Sequence, residues 1–182
     1  MIKINSLKLL SDQEIQKSSS QLKGKKLEKE GTYFFPVLFS VWNIGYKSFF
    51  RKDRKSRSIT GADLVRGSTG LSDHFPVYGE FEADETAIIP PSHSLTEQQK
   101  VSREFIRTYY IHYKRIWTPP VIELSKEEVI HMPYTILIDS NGKTERTKFF
   151  LLEHSSNNLD LLSNYPHIKE CCLGVLKGGD NL

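Results

Sequence analysis

Cysteine is scarce in this chain. Only Cys171 and Cys172 are present among 182 residues, and they are adjacent. Neighbouring cysteines close a strained ring when they bridge, so a disulfide framework is excluded. No further ligands at zinc spacing flank them, which excludes a cysteine-based zinc module. Two free thiols fit a reducing compartment, and the expected localisation is cytoplasmic. Long apolar runs are also lacking. The most apolar stretch, Tyr33 to Trp42, is about half the length that a membrane helix needs. The first ten residues are too polar for a secretory signal, so no targeting or transmembrane segment is expected. Charge of one sign is scarce as well. Twenty-five basic residues against 22 acidic ones leave a net charge of +3, too small to announce a nucleic-acid binder by itself.

What is present suffices for a packed core. Hydrophobic residues make up 38% of the chain and aromatics 11%, in a length that fits one large domain or two small ones. Ser11-Asp12-Gln13-Glu14 has the form of a capping box, so a helix is predicted from about Asp12 into the Leu22 to Leu27 region, stopped by Gly31. Tyr33 to Trp42 reads as a strand buried on both faces, with Pro36 marking its edge or start. Ser58 to Val65 and Val77 to Phe81 read as further strands. Ser94 to Trp117, bracketed by Pro90-Pro91 and Pro119-Pro120, is the longest helical pattern. Val101, Phe105, Tyr109, His112 and Ile116 form one apolar stripe, and Ile106, Tyr110, Tyr113 and Trp117 a second beside it. So wide an arc predicts burial against more than one neighbour. Beyond it, Val129 to Ile138 and Lys148 to Glu153 read as a hairpin turned at Asn141-Gly142. Asn157 to Ser163 reads as a short helix, and Pro166 to Leu173 as another short helix or a turn.

The two parts of the chain echo one another. Laid without a gap, Ser58 to Pro76 matches Lys148 to Pro166 over nineteen positions, pairing Ala62 with Leu152, Leu71 with Leu161 and Phe75 with Tyr165. The expected fold is therefore α+β with two similar halves, 1–92 and 93–182. Each half is an antiparallel sheet or hairpin with a helix, and an internal duplication is possible. The central helix would pack between the two sheets.

Three stretches invite a chemical reading. Leu71-Ser72-Asp73-His74-Phe75-Pro76-Val77 resembles the Ser-Asp-His-x-Pro-Val signature of the endonuclease/exonuclease/phosphatase family of metal-dependent phosphoesterases. Val41-Trp42-Asn43-Ile44-Gly45 resembles that family's opening Trp-Asn strand. The resemblance implies a His74 acting at a scissile phosphate, oriented by Asp73, with Asn43 near a metal. It covers about a dozen residues. Fewer than thirty residues separate Asn43 from Asp73, and neither a metal-binding Glu nor a Gly-Asp-x-Asn segment is found. No complete catalytic constellation results, so no catalytic residue, metal or cofactor is expected.

The second stretch is a basic loop. Arg51, Lys52, Arg54, Lys55 and Arg57 follow Tyr46, Phe49 and Phe50, and clustered cations beside aromatics suit phosphate backbones and stacked bases. The same charges also suit a solvated hairpin edge guarded against aggregation. Third, His131 and His154 are placed to face each other across the second hairpin with Glu153 nearby, and His112 reads as a core histidine. Gly142-Lys143-Thr144 has the end of a phosphate-binding loop but lacks the earlier glycine and the following helix.

The leading expectation is a non-enzymatic binding or regulatory module that recognises a protein partner or its own copy. Nucleic-acid or anionic-surface binding through Arg51 to Arg57 is the alternative. A divergent phosphoesterase using Asp73 and His74 is the second alternative.

Overall fold

Local sequence accounts for where the two serine-capped helices begin, after Ser11 and after Ser94. The computed structural model describes residues 1–20, 22, 27–47, 53–114, 116, 118–139 and 148–178, the last six by backbone alone. In chain order these form β1 (Ile2–Leu7), α1 (Asp12–Ser19), β2 (Leu27–Lys47), β3 (Asp53–Asp63), β4 (Thr69–Ser72), β5 (Tyr78–Ala83), α2 (Leu95–His112), β6 (Val121–Asp139), β7 (Phe149–Glu153), β8 (Asn158–Leu161) and α3 (Pro166–Gly178). The strands make one mixed eight-stranded sheet in the order β4-β3-β2-β6-β1-β5, with β7 added to β6 and β8 to β7. β1 runs parallel to β6 at Ser6 and His131.

This corrects the expected fold. The chain is mostly strand, and it is not two similar halves with a central helix between two sheets. The physical reason lies in β2 and β6, which are 21 and 19 residues long and carry the hairpins of both parts of the chain into one sheet. Two compact units result, and they interleave in sequence. One comprises Met1–Phe35, Val77–Ile89 and His131–Leu182, the other Pro36–Pro76 and Pro90–Ile130.

Prolines mark the changes of pairing. Proline cannot donate to a ladder, and the antiparallel pairing of β2 with β3 begins just after Pro36, at Val37 and Asp63. Leu64 N–H donates to the Pro36 carbonyl at 3.1 Å. Pro133 does the same in β6, whose pairing with β7 begins at Tyr134 and Glu153. There His154 N–H donates to the Pro133 carbonyl at 3.2 Å. Pro36 therefore sits inside a buried strand, not at its edge or start.

Other local expectations also change. α1 ends at Ser19, well short of Gly31, because Ser18, Ser19 and Ser20 turn their hydroxyls back onto the carbonyls of Glu14, Ile15 and Lys17. Such bonds compete with helical continuation. Gly31 lies within β2. The stretch from Asn157 to Leu161 is not helical. Asn157 takes a positive φ of 55°, which closes a tight turn between β7 and β8.

α2 lies within the second unit and packs on β3 and β4. Ser94 caps it, accepting from Glu97 N–H at 3.2 Å. Its buried residues are Gln98, Ser102, Ile106 and Tyr110, a single row at spacing of four. Val101 is 41% exposed, Tyr113 is 78% exposed, and His112 is exposed. Of the two-stripe arc, Ile106, Tyr110 and Ile116 are buried and Phe105 and Tyr109 half-buried, while Val101, His112 and Tyr113 stay exposed, so the helix is covered on one side and not between two sheets. Trp117 lies outside the described residues. The core of this unit gathers Trp42, Ile44, Ile106, Tyr110, Ile116 and Ile122. Ser102 Oγ is buried there without a hydrogen-bond partner among the described residues. Removing an unpaired buried hydroxyl and installing the best helix former both favour folding. Ser102→Ala is expected to raise stability by up to about 1 kcal/mol, read as a higher urea midpoint.

Among the described residues of the first unit, apolar side chains gather in two places. Ile15, Leu137, Phe150 and Leu152 form one, and Ile4, Phe34 and Ala83 the other. Among the described residues no helix is long and apolar enough to cross a membrane.

Candidate functional site

The first half of β3 is where sequence chemistry and geometry meet. Lys55 stands opposite Gly45 in the ladder, and Arg57 opposite Asn43. Directly paired residues share a face of the sheet, so two cations and an amide gather above a position with no side chain. With Val121 and Glu123 they line a cavity of about 630 Å³. Glu123 is the single acid among these lining residues. The salt bridges among the described residues join Lys29 to Asp12, Arg107 to Glu104 and Lys126 to Glu128. Arg54, Lys55 and Arg57 take part in none of these and are exposed. Arg51 and Lys52 lie outside the described residues, as does Gly142-Lys143-Thr144.

The other face of the same ladder is aromatic. Ser56 and Ser58 turn towards α2, where both hydroxyls meet the Tyr110 hydroxyl, at 2.6 and 3.1 Å. Tyr46, opposite Arg54 in the ladder, has its ring centroid 5.4 Å from that of Tyr110. Tyr109 follows at 5.7 Å, and Tyr113 stacks on Tyr109 at 5.4 Å with the planes 25° apart. Lys114 Nζ lies 5.9 Å from the Tyr109 centroid. β4 pairs with β3 only from Ile59 onward. Residues 53–58 therefore have β2 as their one ladder partner among the described strands. Sequence reading placed Tyr109 and Tyr113 among packing residues. The spacing of four between them was a legible signal for stacking on one helix face.

The phosphoesterase-like residues lie on β2 and in the segment after β4. Asn43 lines the cavity, whereas Asp73 and His74 are exposed in the segment after β4. Ser72 Oγ donates to the His74 carbonyl at 2.7 Å, and Phe75 meets Phe39 edge-on at 6.2 Å. Lys126 Nζ sits 4.0 Å above the Phe75 ring. The segment is thus held by Phe75, and packing accounts for its conformation. Among the described residues no group of three His, Cys, Asp or Glu is placed to hold a metal.

His131 and His154 do not form a pair. His131 Nδ1–H donates to the Asn5 carbonyl at 3.0 Å, and burial lowers the histidine's pKa. His154 is buried in a satisfied network. Leu10 N–H donates to its Nδ1 at 2.8 Å, which leaves the proton on Nε2. Nε2–H then donates to Thr135 Oγ1 at 2.7 Å, and the Thr135 and Thr32 hydroxyls share a hydrogen bond of 2.7 Å. Burial first, and Lys29 second, pull its pKa down to about 4. An imidazole so held orders structure and does not exchange protons near neutrality. Cys172 is buried with its thiol pushed up to about 12, chiefly by burial, so it is no nucleophile. Cys171 is half-buried and unbridged.

Compared with protein-family models, curated proteins and solved structures, the chain matches none.

Proposed function

We propose that this protein is a non-enzymatic binding module and that it takes an anionic, phosphate-bearing ligand on the β2–β3 ladder. The observation that carries this reading is the placement of Lys55 and Arg57 over Asn43 and Gly45 in one cavity, outside the salt bridges described above. Cations without partners offer their full charge to a ligand, and the asparagine amide adds a directional donor. Glu123 in the same lining offsets part of that charge. Binding of inorganic polyphosphate, followed by calorimetry, tests the reading. Affinity is expected to fall linearly in log–log form with salt. The Lys55→Ala/Arg57→Ala pair is expected to lower affinity roughly tenfold and to reduce the slope by about two contacts. Salt-insensitive binding, or none, would sink the proposal. Phosphodiester cleavage with magnesium or manganese that vanishes in His74→Ala would replace it with the catalytic alternative.

A second reading, recognition of a protein partner, draws on a different feature. In the first unit Leu22, Phe149, Leu159 and Leu161 line an apolar cleft of about 750 Å³ bordered by Lys148 and Lys169. Light scattering that finds a dimer weakened by Leu161→Asp would support self-association there.

A further inference from the structure

From the tyrosines beside this ladder we infer that the phosphate-bearing ligand is single-stranded nucleic acid, with one base stacked on the open face of Tyr113. The inference rests on the anion-binding reading above and goes beyond it by naming the ligand class. Tyr113 is 78% exposed, and its ring stacks on Tyr109 at 5.4 Å with the planes 25° apart. One ring face is thereby supported by the protein and the other offered outward. Tyr109 is anchored in turn on Tyr110, whose hydroxyl is tied to Ser56 and Ser58 of β3. A stacking platform is thus connected through Tyr110 to the strand that carries the cations.

The charges lie where a backbone needs them. Arg54 is opposite Tyr46 at the strand end of the tyrosine row, and Lys114 covers its helix end beside Tyr109. Lys55 and Arg57 continue the cationic track on the far face of β3, around the segment that β4 leaves uncovered. Aromatic faces accept every base, so the expected recognition tolerates sequence. A duplex hides its base faces in the stack and cannot use such a platform. A bare polyanion has no base to place there.

Fluorescence anisotropy with the full chain provides the test. The probes are a labelled oligothymidine of about 12 nucleotides, within the range of such sites, an abasic strand of equal length, and a duplex. Oligothymidine is expected to bind roughly tenfold tighter than the abasic strand, and Tyr113→Leu to erase that advantage. The Tyr113→Leu salt slope stays unchanged, Tyr113→Trp retains the advantage, and Arg54→Ala lowers the slope by about one. Circular dichroism confirms that each variant is folded. Equal affinity for the thymidine and abasic strands, or for the duplex, overturns this inference and leaves the polyphosphate reading intact. Failure of all three probes together with polyphosphate overturns both.

Discussion

Trp42→Ala is expected to cost about 3–5 kcal/mol of stability, the range for emptying a large aromatic site. Trp42 is 2% exposed and packs with Ile44, Ile106, Tyr110, Ile116 and Ile122. Its Nε1–H donates to Thr60 Oγ1 at 2.9 Å, and Thr60 is wholly buried. Alanine therefore leaves both a void and an unpaired hydroxyl. Trp42→Phe separates these effects. It keeps most of the apolar volume and loses the hydrogen bond, so a smaller loss of about 1–3 kcal/mol is expected. Urea titration followed by circular dichroism measures both. An alanine variant with an unchanged midpoint would show that this cluster does not hold the unit together.

The second large effect concerns His154 and pH. In the folded chain its pKa is about 4, against an ordinary value of 6.5. The unfolded chain thus binds a proton that the folded chain refuses between these values. The contribution is fully present above about pH 6.5 and is lost as pH falls towards 4. The slope is at most about 1.4 kcal/mol per pH unit, and the total about 3 kcal/mol. Protonation at Nδ1 would also set a charged N–H against Leu10 N–H, breaking the link from β7 back to the segment between β1 and α1. His131 has a lowered pKa too and adds loss in the same direction. For that reason the test is a difference. Stability of wild type and of His154→Leu is measured from pH 7.5 to pH 4, and the wild type alone is expected to show the extra fall. Leucine removes the titrating ring but also the partners of Leu10 N–H and Thr135 Oγ1, so it lowers stability at every pH and the readout is the slope, not the level. Parallel pH profiles for the two proteins would refute the account.

The residues of the candidate site differ from the core in how they could be read. Arg54, Lys55 and Arg57 were visible as a charge cluster, and Trp42-Asn43 as a motif, yet nothing in their spacing told that Asn43 and Arg57 stand opposite one another. That fact depends on register, which pairs Val37 with Asp63 at one end of the ladder and Lys47 with Asp53 at the other. Tyr113 was read as a core residue because two adjacent apolar stripes look alike in a helical pattern. Which stripe is covered depends on the sheet beneath. β1 escaped notice because only Ile4 and Ser6 of it are buried, one of them polar.

By itself, then, the sequence determined the features that rest on local chemistry. These are the serine caps of α1 and α2, the double burial of Tyr33 to Trp42, the prolines that punctuate pairing, and the cation cluster. Tertiary structure alone decided that β2 and β6 run unbroken, that one sheet forms instead of two, and that cations and tyrosines share a ladder. Those outcomes depend on hydrogen bonds between residues far apart in the chain. A periodic pattern records which residues are apolar, but not which distant strand completes the ladder.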